Sequence, residues 1–101
     1  MKLLTQANRK ALPPLYAQEK KGDDAIAYVK FFTPDSNWTW YVLEFDGDDS
    51  LFGLVDNGSE KELGYFSFNE LATVTGPLGL HVERDKHWTP KTLREIKAGK
   101  E

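Results

Sequence analysis

The chain contains no cysteine, so disulfides, thiolate zinc sites and cysteine nucleophiles are all excluded. Small secreted domains commonly rely on disulfides for stability, and a cysteine-free chain of this size points to the cytoplasm. Histidine is nearly absent as well. His81 and His87 are six residues apart, which matches no common zinc pair. His87 lies among charges in Arg84-Asp85-Lys86-His87-Trp88 and reads as a surface imidazole. No apolar run approaches the roughly 18 residues of a membrane span, and the opening MKLLTQANRKALPP lacks the apolar centre of a signal peptide. No G-x-G-x-x-G or G-x-x-x-x-G-K-[ST] phosphate loop occurs. The serines lack a nucleophile-elbow setting. Asp46-Gly47-Asp48-Asp49-Ser50 opens like a calcium loop, but Leu51 stands where Gly is required and Asn57 where Glu is required. These absences leave no metal site, no cofactor and no catalytic residue to assign.

What is present describes one domain over residues 1–101. Aromatic residues make up 13% of the chain, and they give a small core a large apolar area per side chain. The net charge of −3 is unevenly spread. Residues 1–22 carry five basic side chains against one acidic, residues 23–85 three against thirteen, and residues 86–101 five against two. A middle segment this acidic repels a nucleic-acid backbone. It also supplies acidic turns that keep an aromatic sheet soluble.

The residue pattern predicts an α+β fold, an antiparallel four- to five-stranded meander with short N-terminal, middle and C-terminal helices. Thr5 reads as the N-cap of a first helix that Pro13-Pro14 stops. Strand signals follow over 25–32, 38–45, 51–55 and 62–66, separated by Pro/Asp/Asn/Gly turns too short for parallel crossovers. Ser67-Phe68-Asn69-Glu70 is a capping box for a short helix to about Val74, and Leu80–Glu83 is a fifth strand. Thr89-Pro90 then opens a terminal helix through Leu93 and Ile96. Core candidates are Val29, Phe31, Tyr41, Leu43, Phe45, Leu54 and Phe66.

Strict alternation in the second strand places Thr39, Tyr41, Leu43 and Phe45 on one face, and Trp38, Trp40, Val42 and Glu44 on the other. Both faces are apolar, so either helices cover the second face or the two tryptophans stand exposed as a binding surface. Glu44 is expected on a solvated side or paired with Lys30 across the hairpin.

Several segments occur together and in order: Asp23–Phe32, Asn37-Trp38-Thr39-Trp40-Tyr41, Glu44-Phe45-Asp46-Gly47, Phe52–Asp56, Glu62–Ser67, Gly76–Leu80 and Glu83-Arg84-Asp85. The set resembles a bacterial family known as domain of unknown function 2958, over Leu3 to about Leu93. The resemblance implies a small protein of plasmids, conjugative elements and phages, sometimes encoded near antirestriction genes. It brings no activity and no catalytic residue with it.

The expected function is a non-enzymatic protein-interaction module of a mobile element, acting on a host defence or DNA-processing protein. Its candidate contact surface is Trp38 and Trp40 with the acidic turn Asp46, Asp48 and Asp49. Acidic side chains on a compact surface can occupy a basic groove made for DNA phosphates. Two alternatives stay open. One is a small hydrolase or isomerase using Glu44, His81 or an acidic-loop residue. The other is weak nucleic-acid binding through Arg9, Lys10, Lys20, Lys21, Lys91, Arg94 and Lys97 at the two ends.

Overall fold

A computed structural model of the chain describes residues 2–100. Its centre is a five-stranded, wholly antiparallel sheet in the order β5-β4-β3-β2-β6. The strands are β2 (Val29–Phe32), β3 (Thr39–Phe45), β4 (Ser50–Asp56), β5 (Lys61–Ser67) and β6 (Glu83–Arg84). A separate pair joins β1 (Ile26–Ala27) to β7 (Lys91–Thr92). The helices are short: α1 (Gln6–Ala11), α2 (Phe68–Leu71) and α3 (Leu93–Lys97), with a 3-10 segment at Glu19–Asp24. The antiparallel α+β sheet with short helices expected from the sequence is therefore observed, with one departure: β2 to β5 form the meander, and β6 crosses back to pair with β2 rather than β5.

Thr5 caps α1 through a reciprocal box, its hydroxyl accepting from the Asn8 amide at 3.1 Å while Asn8 Oδ1 accepts from the Thr5 amide at 3.0 Å. The helix buries none of its own residues. Its flanks, Leu4 and Leu12, are buried instead, so α1 is a strap pinned at both ends.

Four details differ from the sequence reading. The apolar run 25–32 is not one strand. Its chain leaves β1 at Tyr28, whose amide donates to the Val42 carbonyl at 2.9 Å. The Gln18 side chain takes both backbone groups of Ile26, at 2.7 and 2.9 Å, which satisfies β1 on that side without a strand. The middle helix ends at Leu71 rather than Val74. The fifth strand lies at Glu83–Arg84 rather than 80–83. The last helix starts after Thr92, not Thr89, because Lys91–Thr92 are held extended by β1. Thr92 and Glu95 then form their own capping box.

A bulge in β3 has the widest consequences. Val42 pairs with Gly53 and Glu44 with Phe52, so Leu43 has no partner residue. One extra residue reverses the alternation beyond it. Phe45 consequently joins Trp40, Val42, Phe31 and Leu51 in one core, which the N-terminal segment and Leu71 and Val82 cover. Tyr41 and Leu43 join Leu54, Ala27, Leu93 and Ile96 in a second core on the opposite face. The strict alternation expected for β3 thus fails after Leu43, and Glu44 and Phe45 exchange faces. Of the expected core, Val29, Phe31, Tyr41, Leu43, Phe45 and Leu54 are buried, and Phe66 is half-buried.

Candidate interaction surface

The two tryptophans share a stack but not an environment. Their rings lie 5.8 Å apart at 26°. Trp40 is buried between strands, whereas Trp38, just before β3 begins, is 44% exposed. One side of Trp38 borders an apolar recess of about 420 Å³ floored by Trp40, Val74 and Pro77. Leu78, next to Pro77 in the same loop, is 80% exposed, while Leu80, 46% exposed, borders a separate hollow with Leu3 and Phe68. The other side borders an open polar groove of about 1020 Å³, whose lining includes Lys30, Glu83, Arg84, Asp85, Lys86 and His87. Trp38 is therefore a ridge between an apolar shelf and a mixed-charge groove.

Asp35 fixes the shelf in place. It sits in the β2–β3 hairpin, and its carboxylate accepts from the Leu78 amide at 2.6 Å and the Leu80 amide at 3.5 Å. A Cβ on Gly76 would stand 1.6 Å from Asp35 Oδ1, so with glycine there the 76–80 loop packs directly against this carboxylate, and any larger residue would require the carboxylate to move. The exposed Leu78 and Leu80 thus sit on a tethered loop.

The acidic turn is elsewhere. Six residue steps of extended chain lead from Trp40 to Asp46, about 20 Å, so Trp38 and Trp40 occupy one end of β3 and the acidic turn the other. Asp46 Oδ1 accepts from the amides of Asp48, Asp49 and Ser50 at 2.8, 2.9 and 3.1 Å. These bonds, the Asp48 amide foremost, hold its pKa below the ordinary carboxylate value. Asp49 accepts from the Asn69 amide and the Ser67 hydroxyl, both at 2.7 Å, and so fastens the start of α2. Two of the three acids build turns, and Asp48 remains exposed.

The groups named for catalysis do not converge. Glu44 is 3% exposed and not solvated, and it does not pair with Lys30. Its two oxygens accept from the amides of Tyr16 and Gln18, each at 2.8 Å. Lys30 lies over the rings of Tyr41 and Trp88 instead. Glu44 borders a cleft of about 230 Å³ with Tyr16, Phe52, Leu63 and Tyr65. A hydrogen bond to Tyr16 raises the Tyr65 pKa there. His81 borders a different hollow, beside Leu3 and Phe68. Among the described residues no three His, Asp or Glu side chains are grouped so as to hold a metal ion.

The basic C-terminal end folds back onto the acidic pair Asp23-Asp24. Arg94 pairs with Asp24 at 3.0 Å and Lys97 with Asp23 at 2.8 Å, and the Lys97 bond lowers the Asp23 pKa. Arg9 lies over Phe45 and Phe68, and Lys91 over Trp88. Four of the seven cations named for nucleic acid are thus engaged within the chain.

Sequence reasoning missed the shelf. Its signal was the composition of Gly76-Pro77-Leu78-Gly79-Leu80, a loop with three large apolar or ring side chains and no charge. No helix among the described residues is long and apolar enough to cross a membrane. No curated protein and no solved structure matches the chain. The family model for DUF2958, a protein of unknown function, matches residues 3–96 of the 101, and the chain belongs to that family.

Proposed function

We propose that the protein is a non-enzymatic protein-interaction module whose contact surface is the Trp38 ridge with its Val74–Leu78 shelf. The observation that carries this reading is Trp38 itself, 44% exposed and stacked on a buried Trp40. Tryptophan on a rigid base is a frequent anchor of protein interfaces. Contiguous exposed apolar residues beside it mark an interaction site rather than ordinary surface. The polar groove on the other flank supplies the hydrogen-bonding rim such a contact uses. The partner in this reading is a host defence or DNA-processing protein, in keeping with the mobile-element setting the family resemblance implies. The acidic turn contributes only to a partner that spans the roughly 20 Å between the two ends of β3.

The engagement of Glu44 by two amides and the separate hollows that Glu44 and His81 border support the non-enzymatic reading over a hydrolase or isomerase. The test is capture from bacterial lysate with mass spectrometry, followed by calorimetry with the purified partner. Three baits are compared: the native chain, Trp38→Ala with Leu78→Ser, and Asp46→Asn with Asp48→Asn. The expected result is a partner held by the first and third baits and lost by the second, by tenfold or more in affinity. Equal binding to all three would remove the Trp38 surface from consideration.

A further inference from the structure

We propose that the protein pairs with a second copy of itself along the outer edge of β5, joining two five-stranded sheets into one. This surface is separate from the Trp38 ridge and does not depend on it.

The two edges of the sheet are built differently. β6, at one edge, is two residues long and both are charged, Glu83 and Arg84. Short charged edges are how folded chains prevent further pairing. β5, at the other edge, runs seven residues in unbroken register against β4, from Ser50 opposite Ser67 to Asp56 opposite Lys61. It carries no proline and no bulge, and Leu63 and Tyr65 are 48% and 57% exposed. No strand covers its outer side among the described residues.

The hydrogen-bond phase of that edge follows from its two ends. The Asn57 amide donates to the Glu60 carbonyl at 3.1 Å, and the Phe68 amide to the Asp49 carbonyl at 2.8 Å. Counting in twos from either end, Glu62, Gly64 and Phe66 turn their backbone groups toward β4. Lys61, Leu63, Tyr65 and Ser67 therefore turn theirs outward, a row of donors and acceptors ready for another strand.

The sequence of this row is complementary to itself. An antiparallel pairing about a two-fold axis at Gly64 sets Leu63 opposite Tyr65 of the second copy, twice, in hydrogen-bonded positions. It sets Lys61 opposite Ser67, whose hydroxyl is bonded to the Asp49 carboxylate. Each lysine ammonium thus meets an acid of the other copy. Gly64 itself falls on the axis, at a non-hydrogen-bonded position, where the two Cα atoms approach most closely. Within one chain a Cβ on Gly64 would meet nothing within 4 Å, so the chain's own packing does not call for glycine there. The blunt β6 edge ends the assembly at two copies.

The cysteine-free sequence gives a direct test. Gly64→Cys places a single thiol on the axis, at a Cα separation of about 4.5 Å that a disulfide spans. Glu62→Cys, off the axis, serves as the control. The expected result is rapid disulfide-linked dimer from Gly64→Cys under mild oxidation and little from Glu62→Cys. Analytical ultracentrifugation of the native chain is expected to give a dimer mass. Leu63→Lys with Tyr65→Lys sets like charges opposite each other and should give a monomer with an unchanged circular dichroism spectrum. Leu63→Lys with Tyr65→Glu sets opposite charges across the axis and should restore the dimer, an outcome that damage to the monomer fold would not produce. A native chain that stays monomeric at high concentration would overturn the proposal. So would equal cross-linking of the two cysteine variants, or a dimer that survives the double lysine change. Recovery of β5 paired only to a foreign peptide would overturn it in favour of strand donation by a partner.

Discussion

Glu44→Gln is the most demanding test of the fold described above. The carboxylate is 3% exposed and faces no cation, yet it sits between two backbone N–H groups at 2.8 Å. Those amides belong to Tyr16 and Gln18, in the segment that leads from Pro14 into the 3-10 turn. Gln18 in turn bonds the Leu43 carbonyl at 2.9 Å, one of the backbone groups at the bulge, and both backbone groups of Ile26. The glutamate therefore anchors the segment that anchors β1. Glutamine keeps the shape but has one acceptor oxygen, so its NH₂ must confront one of the two N–H groups. One charge-assisted bond, worth about 1.5–3 kcal/mol, is lost, and a buried donor is left unmatched at a further penalty of about 1–3 kcal/mol. The two terms overlap, and a net loss of about 3 kcal/mol is expected. The whole stability of a chain this size is about 5–15 kcal/mol. The melting temperature should fall by roughly 12–24 °C, read by far-ultraviolet circular dichroism and checked by urea unfolding. A fall of under about 2 °C would refute the reasoning. It would mean that water satisfies these amides and that the segment is not held by β3.

Two further perturbations probe the bulge and the acidic turn. Gly53→Ala introduces a Cβ 2.0 Å from the Tyr41 carbonyl oxygen, so strands β3 and β4 must separate beside the bulge. A loss of about 3 kcal/mol, the upper end for overpacking, is expected in urea unfolding, and a neutral result would deny the close approach. The second concerns pH. Hydrogen bonding holds the Asp46, Asp23 and Glu95 pKa values below their ordinary ones. The folded state then binds these protons more weakly than the unfolded state. Their stabilisation is full above roughly pH 4–5 and is lost as pH falls through the folded values. Asp46→Asn should flatten the decline of the urea midpoint between neutral and acid pH, and an unchanged slope would rule out the turn as a contributor.

Most of the sheet was legible because its signals are local. Trp38–Phe45 and Lys61–Ser67 have strand composition bounded by turn residues, and Thr5 and Ser67 announce the helices they cap. The parts that misled depend on distant partners. Ala25–Phe32 reads as one strand because nothing within it shows that Gln18 will occupy Ile26 or that Thr92 will pair with it. Thr89-Pro90 is a sound helix start taken alone. It loses to Thr92 because β1 keeps Lys91–Thr92 extended and because Glu95 closes a better box. The candidate contact residues fared differently for a geometric reason. Trp38, Trp40 and the acidic turn are close in sequence, but an extended strand carries them apart at about 3.3 Å per residue.

The bulge at Leu43 connects these observations. Without it, alternation would send Phe45 to the face of Tyr41 and Glu44 to the face of Trp40. The first core would lose the ring that Arg9 and Phe68 pack against. A carboxylate would enter that core, away from the amides of Tyr16 and Gln18. With it, β3 buries apolar side chains on both faces, so each face needs its own cover. The N-terminal strap and the loops after β5 cover one; Ala25 and Ala27 around β1, Trp88 and α3 cover the other. That cover ends short of Trp38 at one end of β3 and short of Leu63 and Tyr65 on β5. The two surfaces proposed for contact are therefore the places where a sheet with two cores outruns the chain available to cover it.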